Sequence, residues 1–194
     1  MNLEVLNTRP EIRTYQNFLT QRESLKLYNH DWNFNRSSSY DFASAKNKVS
    51  EYRTSQTTID DGMCKFLTDR AVETLKSDFP SLTHKHFETP QIQMYSAGEQ
   101  YREHCDFFNY PSTQHTENDR VATLIIYLND DFEGGNTTFT HLAKTVRPKQ
   151  GSALYFRYDY GFEINYLTMH SGDPVNKGCK KIITLWMREN PWIS

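Results

Sequence analysis

This chain of 194 residues is short of several things, and each shortage narrows its class. It has only three cysteines, Cys64, Cys105 and Cys179, with no CxxC pair and no even framework. That argues against a disulfide scaffold and for a reducing compartment. It has no strong charge of either sign: the formal net charge is −2 and the pI about 6.4. Nothing here resembles the basic footprint of a nucleic-acid binder or of a protein held on anionic lipid. Mean hydropathy is −0.78, and no apolar run approaches the ~18 residues of a membrane span. The first residues, Met1-Asn2-Leu3-Glu4-Val5, lack the basic and apolar regions of a signal peptide, so a cytoplasmic location is expected. There is no GxGxxG opening a helix and no GKS/T, which excludes the common phosphate cradles. Ser152 follows Gly151 outside any nucleophile-elbow context.

What the chain does have is aromatic weight, 14% of residues, and a periodicity that changes along its length. Thr20-x-x-Glu23 has capping-box spacing before Leu25 and Leu27, which predicts a helix within 14–30 after an opening strand or turn. Met63, Leu67, Ala71 and Leu75 recur every four residues and predict a second helix over Asp60–Ser77, ended by Phe79-Pro80. Between them, residues 31–57 are polar and read as a long loop with a short strand near Glu51–Gln56. From Gln91 the pattern is strand-like. Ile92 and Met94 alternate with polar neighbours, and Val121–Leu128 is a continuous apolar run suited to a strand buried on both faces. Thr137–Thr140, Ala153–Arg157, Asn165–His170 and Lys180–Arg188 are further strand candidates. Two helices followed by about eight strands predict an α+β fold with helices packed on a β-sandwich or barrel.

The chemistry concentrates in His104-Cys105-Asp106, with His170 downstream and Lys180 ten residues later. Two imidazoles and a carboxylate are the ligand set of the facial triad that holds non-haem Fe(II) and leaves positions open. In a strand, residues i and i+2 share a face, so His104 and Asp106 can reach one metal while Cys105 turns away. The same parity separates Lys180, Ile182, Thr184 and Trp186 from Lys181, Ile183 and Leu185. His84-x-His86 is read as a solvated pair.

The segment Tyr95-Ser-Ala-Gly98-Glu-Gln-Tyr101-Arg-Glu-His104-Cys-Asp106 resembles the first metal-ligand strand of the prolyl 4-hydroxylase branch of the Fe(II)/2-oxoglutarate dioxygenases. The resemblance continues in order through Arg120-Val-Ala-Thr-Leu-Ile-Ile-Tyr127-Leu, Glu133-Gly-Gly-Asn-Thr137, Arg147-Pro-Lys-Gln-Gly151 and His170-Ser-Gly-Asp-Pro174-Val-Asn-Lys-Gly178-Cys-Lys180, and closes with Trp186. It spans roughly residues 90–190, with a weaker echo in Arg53-Thr-Ser55. It implies a double-stranded β-helix, or jelly roll, over 90–190, with helical N-terminal support over 1–89 and a mobile loop at 31–57, all in one domain of residues 1–194. It implies His104, Asp106 and His170 as ligands of Fe(II). It implies Lys180, Tyr95 and Thr137 on the far carboxylate of 2-oxoglutarate, and Trp186 near the metal, although a core tryptophan fits that position as well. Tyr101 and Arg120 match peptide-contacting positions. Arg188 stands where the family often has histidine and is counted with them. The activity implied is hydroxylation of peptidyl proline with O2, with ascorbate as reductant and a proline-containing peptide or protein as partner. Alternatives are the same iron chemistry on a free amino acid or another protein side chain, or a non-catalytic β-helix that binds a ligand.

Overall fold

The computed structural model describes residues 1–41, 46–49, 52–107 and 118–192. The chain opens with a hairpin of β1 (Asn2–Thr8) and β2 (Glu11–Gln16), followed by helix α1 (Gln21–Tyr28). Strands β3 (Asn35–Arg36), β4 (Ser38–Asp41), β5 (Lys46–Val49) and β6 (Gln56–Ile59) lead to helix α2 (Lys65–Leu75). The strands β7 (Gln91–Ser96), β8 (Tyr101–His104), β9 (Arg120–Tyr127), β10 (Glu133–Gly134), β11 (Thr137–Phe139), β12 (Lys144–Val146) and β13 (Ala153–Arg157) come next. Helix α3 (Phe162–Tyr166) precedes β14 (His170–Gly172), β15 (Val175–Lys177) and β16 (Cys179–Arg188).

Two antiparallel sheets make the jelly roll. The larger runs β1-β2-β13-β9-β16-β7-β6-β3, and the smaller runs β12-β11-β14-β8. Strand parity decides what each face meets. Leu124 and Ile126 of β9, with Leu128 just past its end, join Ile183 and Leu185 of β16 in a core closed by Leu27 of α1 and Leu67, Ala71 and Leu75 of α2. The alternate residues Ile125 and Tyr127 join Tyr95, Phe139, Leu154, Phe156 and Ile182 in a second core. So both helices lie on one face of the large sheet, as expected. The other face is left to the smaller sheet and the site.

The first helix keeps its predicted signal. Thr20 Oγ1 accepts from the Glu23 amide at 3.2 Å, and the Thr20 amide donates to Glu23 Oε2 at 2.8 Å. Glu23 also takes Arg70 of α2 at 2.7 Å, which ties the helices together. The second helix is shorter than its periodicity predicts. Gly62 has φ +105°, and the amides of Met63 and Cys64 donate to Asp61 and Asp60, so Asp60–Cys64 is a turn that delivers the chain to the helix.

Three expectations are corrected. Residues 1–89 are more than helical support: β1, β2, β3 and β6 extend the large sheet at both ends. Residues 31–57 are not one loop, since β4 pairs with β5 and β3 with β6, and the last strand starts at Gln56. Residues 42–45 and 50–51 of that stretch, including the start of the expected strand at Glu51, lie outside the described residues. Asn165–His170 is not a strand. The Asn165 carboxamide accepts the Tyr160 amide at 3.0 Å, and the Thr168 amide donates to the Asn165 carbonyl at 2.9 Å. That turn chemistry favours helix α3 and delays the strand until His170.

Candidate active site

The smaller sheet sets the two histidines. β14 runs antiparallel to β8 with His170 directly opposite His104, and their ring centroids are 4.3 Å apart. Asp106 lies two residues beyond His104, past the end of β8, so the bend there and not strand parity alone carries it to the site. One ligand atom from each of the three lies within 4.8 Å of the others. His104 Nε2 is 3.5 Å from Asp106 Oδ1, and His170 Nε2 is 3.9 Å from Oδ2.

Each ring is oriented from behind. Nδ1 of His104 faces the Arg102 carbonyl at 2.8 Å, and Nδ1 of His170 faces the Thr168 carbonyl at 3.0 Å. A carbonyl only accepts, so each Nδ1 carries the hydrogen and each Nε2 presents a lone pair. Burial pushes the His170 imidazole down to about 4, with His104 adding to the effect, so its neutral, ligating form prevails near pH 7. Burial works to raise the Asp106 carboxyl. The adjacent imidazoles of His104 and His170 and the Arg120 guanidinium outweigh it and hold the group well below the usual carboxylate range. Two neutral nitrogen donors and one anionic oxygen suit a divalent iron.

The cavity beside this triad holds about 380 Å³ of atom-free space, part of it continuous with solvent. Lys180 is 2% exposed within it. Its Nζ donates to the Gly135 carbonyl at 2.6 Å and lies 5.4 and 5.8 Å from the Tyr95 and Tyr127 ring centroids. Burial lowers its pKa to about 8, and the more distant Asp173 offsets this in part. A buried ammonium so placed gains most from an anionic guest. Gly135 makes room for it: φ is +63°, and an added Cβ would come within 3.2 Å of Lys180 Cδ and 2.9 Å of the Phe132 ring. Thr137 Oγ1 lies in the same cavity, 2.9 Å from the Tyr127 hydroxyl. Tyr95 lines it too, and burial raises its phenol above the ordinary value.

The remaining predicted residues divide. Tyr101 stacks on His104 with centroids 3.5 Å apart and 14° between planes, and the Arg53 guanidinium lies 5.1 Å from its ring centroid. Trp186 lines the cavity, and Arg120 lies 3.8 Å over its ring. Arg120 and Arg188 are not among the cavity's lining residues. Both guanidinium groups converge on Glu88: Arg120 grips its two oxygens at 2.6 and 2.8 Å, and Arg188 Nε is 2.6 Å from Oε1. Arg120 also reaches the Asp106 carbonyl at 3.3 Å.

Sequence reasoning missed several members. Glu88 sits far from its partners in the chain and has no local signal. Gln93 donates to Thr184 Oγ1 at 2.9 Å on the cavity wall. Thr123 donates to Asp106 Oδ2 at 2.8 Å, and Tyr127 meets Thr137. Strand parity on β9 could have found the last two, because residues 123, 125 and 127 share the inward face.

The sequence pattern of the 2OG-Fe(II) oxygenase superfamily matches residues 90–188. Probable prolyl 4-hydroxylase 10 of Arabidopsis thaliana is 30% identical over 208 residues, covering 96% of this chain and 71% of that protein. Prolyl 4-hydroxylase subunit alpha-2 of Gallus gallus is 37% identical over 114 residues, covering 56% of this chain and 21% of that protein. The fold is similar to a viral collagen prolyl hydroxylase from Paramecium Bursaria Chlorella virus-1, solved as a 2OG complex, with a TM-score of 0.71, 24% identity, and 91% and 95% of the two chains covered. The chain belongs to the 2OG-Fe(II) oxygenase superfamily. It is a 2-oxoglutarate- and Fe(II)-dependent dioxygenase. The residues present fit that pair: three converging donors for the metal, and a buried ammonium in the same cavity for a dicarboxylate.

Proposed function

We propose that the chain hydroxylates proline in a peptide or protein substrate, using Fe(II), 2-oxoglutarate and O2 and releasing succinate and CO2. The observation that carries this reading is one cavity lined by His104, Asp106 and His170 together with buried Lys180. The prolyl 4-hydroxylase relatives support proline as the target.

When bound, the metal and keto acid supply oxidative decarboxylation by O2 and oxygen insertion into a substrate C–H bond. This chain's residues do the rest. His104, Asp106 and His170 hold the metal, the histidines through Nε2. Lys180 pairs with the far carboxylate of 2-oxoglutarate, and Thr137 and Tyr95 donate hydrogen bonds to it. Tyr127 fixes the Thr137 hydroxyl, 2.9 Å away. Ile125 and Ile182 wall the cavity with hydrocarbon and keep the ion pair in a medium of low polarity. Trp186, on the cavity wall, would stand near the bound metal, and Tyr101, stacked on His104, would meet the peptide. Arg120 and Arg188, clamped on Glu88 outside the cavity lining, are assigned to contact with the peptide.

Ascorbate is the proposed reductant that rescues iron oxidised without substrate turnover. Residues 1–194 are taken as one catalytic domain, because β1 and β2 are woven into the sheet that carries β9 and β16. The three unpaired cysteines support a reducing, cytoplasmic setting. Among the described residues no helix is long and apolar enough to cross a membrane.

The test is mass spectrometry of a panel of proline-containing peptides incubated with enzyme, Fe(II), 2-oxoglutarate and O2. A gain of one oxygen mapped to proline is expected. Active decarboxylation with no modified proline across the panel would transfer the chemistry to another substrate.

A further inference from the structure

Behind the metal-binding carboxylate lies a pair of hydroxyls that the function described so far does not use. Thr123 Oγ1 is 2.8 Å from Asp106 Oδ2, and the Tyr158 hydroxyl is 2.9 Å from Thr123 Oγ1. Thr123 and Tyr158 are 0% and 2% exposed. Solvent therefore does not compete for these bonds.

We propose that Tyr158 and Thr123 are positioning residues for the metal site, a one-way chain of hydroxyls that fixes the rotation of the Asp106 carboxylate. The inference rests on the reading of His104, Asp106 and His170 as metal ligands. The direction of the chain follows from the donor inventory. An ionised carboxylate only accepts, so Thr123 must spend its single hydrogen on Asp106. The Thr123 oxygen then receives from Tyr158, whose phenol is the donor that starts the chain. The order is Tyr158 to Thr123 to Asp106, and no other arrangement satisfies all three.

The fold makes this chain rigid. Thr123 projects from the inward face of β9, paired with Phe156 of β13 on one side and Trp186 of β16 on the other. Tyr158 follows β13, and its amide donates to the Val121 carbonyl at 2.9 Å, which sets it beside the same strand. The rings of Phe107 and Phe156 stand 5.7 and 6.0 Å from the Tyr158 ring. A phenol walled in this way cannot swing aside. The Asp106 side chain, by contrast, leaves a bend beyond β8, and without Thr123 its carboxylate could turn about the Cβ–Cγ bond. With Oδ2 held from behind, Oδ1 stays 3.5 Å from His104 Nε2. Partners that orient a metal ligand in this manner typically change metal affinity by about tenfold to a hundredfold when removed.

Co(II) titration of the metal-free full chain, followed by its visible absorption bands, tests this. Thr123→Val, nearly the same shape without the hydroxyl, should weaken Co(II) binding about tenfold to a hundredfold and alter the bands. Thr123→Ser should restore affinity and spectrum. Tyr158→Phe should shift both in the same direction by a smaller amount, and it carries the test if Thr123→Val does not fold. Melting of each metal-free variant separates positioning from mere packing. Variants that melt lower yet bind Co(II) with wild-type affinity and bands would overturn the proposal. Asp106→Ala is the control for the underlying reading. If it loses Co(II) while Thr123→Val and Tyr158→Phe do not, the positioning role alone fails. If Asp106→Ala binds like the wild type, the ligand assignment fails and takes the positioning role with it.

Discussion

Lys180 and Lys181 are adjacent on β16, and their ammonium groups go to opposite faces of the large sheet. Nζ of Lys180 donates to the Gly135 carbonyl at 2.6 Å in the cavity, whereas Nζ of Lys181 donates to the Tyr28 carbonyl at 2.8 Å on the helix side. Parity has thus sorted two identical side chains into one that faces the cavity and one that ties β16 to α1. Lys180→Ala should raise the 2-oxoglutarate requirement by more than about a hundredfold, since removing one member of a buried charge pair costs about 3–5 kcal/mol. Lys181→Ala should leave it near the wild-type value. Steady-state titrations of 2-oxoglutarate check this, and the reverse ranking would assign the anchor to the wrong lysine.

Glu88 is held by two half-buried or buried guanidiniums, Arg120 and Arg188. Glu88→Gln keeps the shape and removes the charge that both rely on. It should destabilise the fold by up to about 3–5 kcal/mol, the usual consequence of removing one partner of a buried ion pair, with Asp106 offsetting part of the loss at Arg120. Denaturant unfolding measures it, and a loss below about 1 kcal/mol, the range of exposed pairs, would show that solvent screens this cluster.

Acid should weaken the metal-free protein in a defined window. Burial, aided by His104, lowers His170 from 6.5 to about 4 in the folded chain. Because the folded value lies below the unfolded one, the unfolded chain takes up the proton first as pH falls. Stability attributable to His170 is therefore lost between about pH 6.5 and about pH 4, by on the order of 3 kcal/mol. Asp106 is also lowered in the folded chain and so has the same sign, in a lower window: its contribution is present above the ordinary carboxylate range and is lost on acidification below it. Urea unfolding at pH 7 and pH 4.5 should show a larger loss for the wild type than for His170→Ala. Equal losses would remove His170 as the source.

Much of this was legible before any coordinates, and the reasons are local. The Thr20–Glu23 capping box acts within four residues, and it starts α1 where expected. The β16 alternation is set by the pleat of one strand, so it sorted Lys180 from Lys181 correctly. His104 and His170 stand opposite each other as a shared metal site requires. Most of the misses are contacts that no short window contains. The Arg120–Glu88–Arg188 cluster joins three distant segments. The strand pattern at Asn165–His170 yielded to turn chemistry at Asn165. The outer strand β1 is mostly exposed and weakly patterned, and it joins the sheet only through β2, which pairs with β13. The motif brought Asp106 to the two histidines, but its reach depends on the bend after β8, which strand parity does not describe.

The most direct test of the central claim is stoichiometry. A proline-containing peptide that the enzyme modifies is incubated with Fe(II), O2 and 2-oxoglutarate, and hydroxyproline and succinate are counted together. The account predicts one hydroxyproline per succinate beyond the peptide-free background, with both products lost in His104→Ala, Asp106→Ala and His170→Ala. Hydroxyproline formed at wild-type rate by any of these three variants would contradict it, as would succinate that rises with peptide while proline stays unmodified.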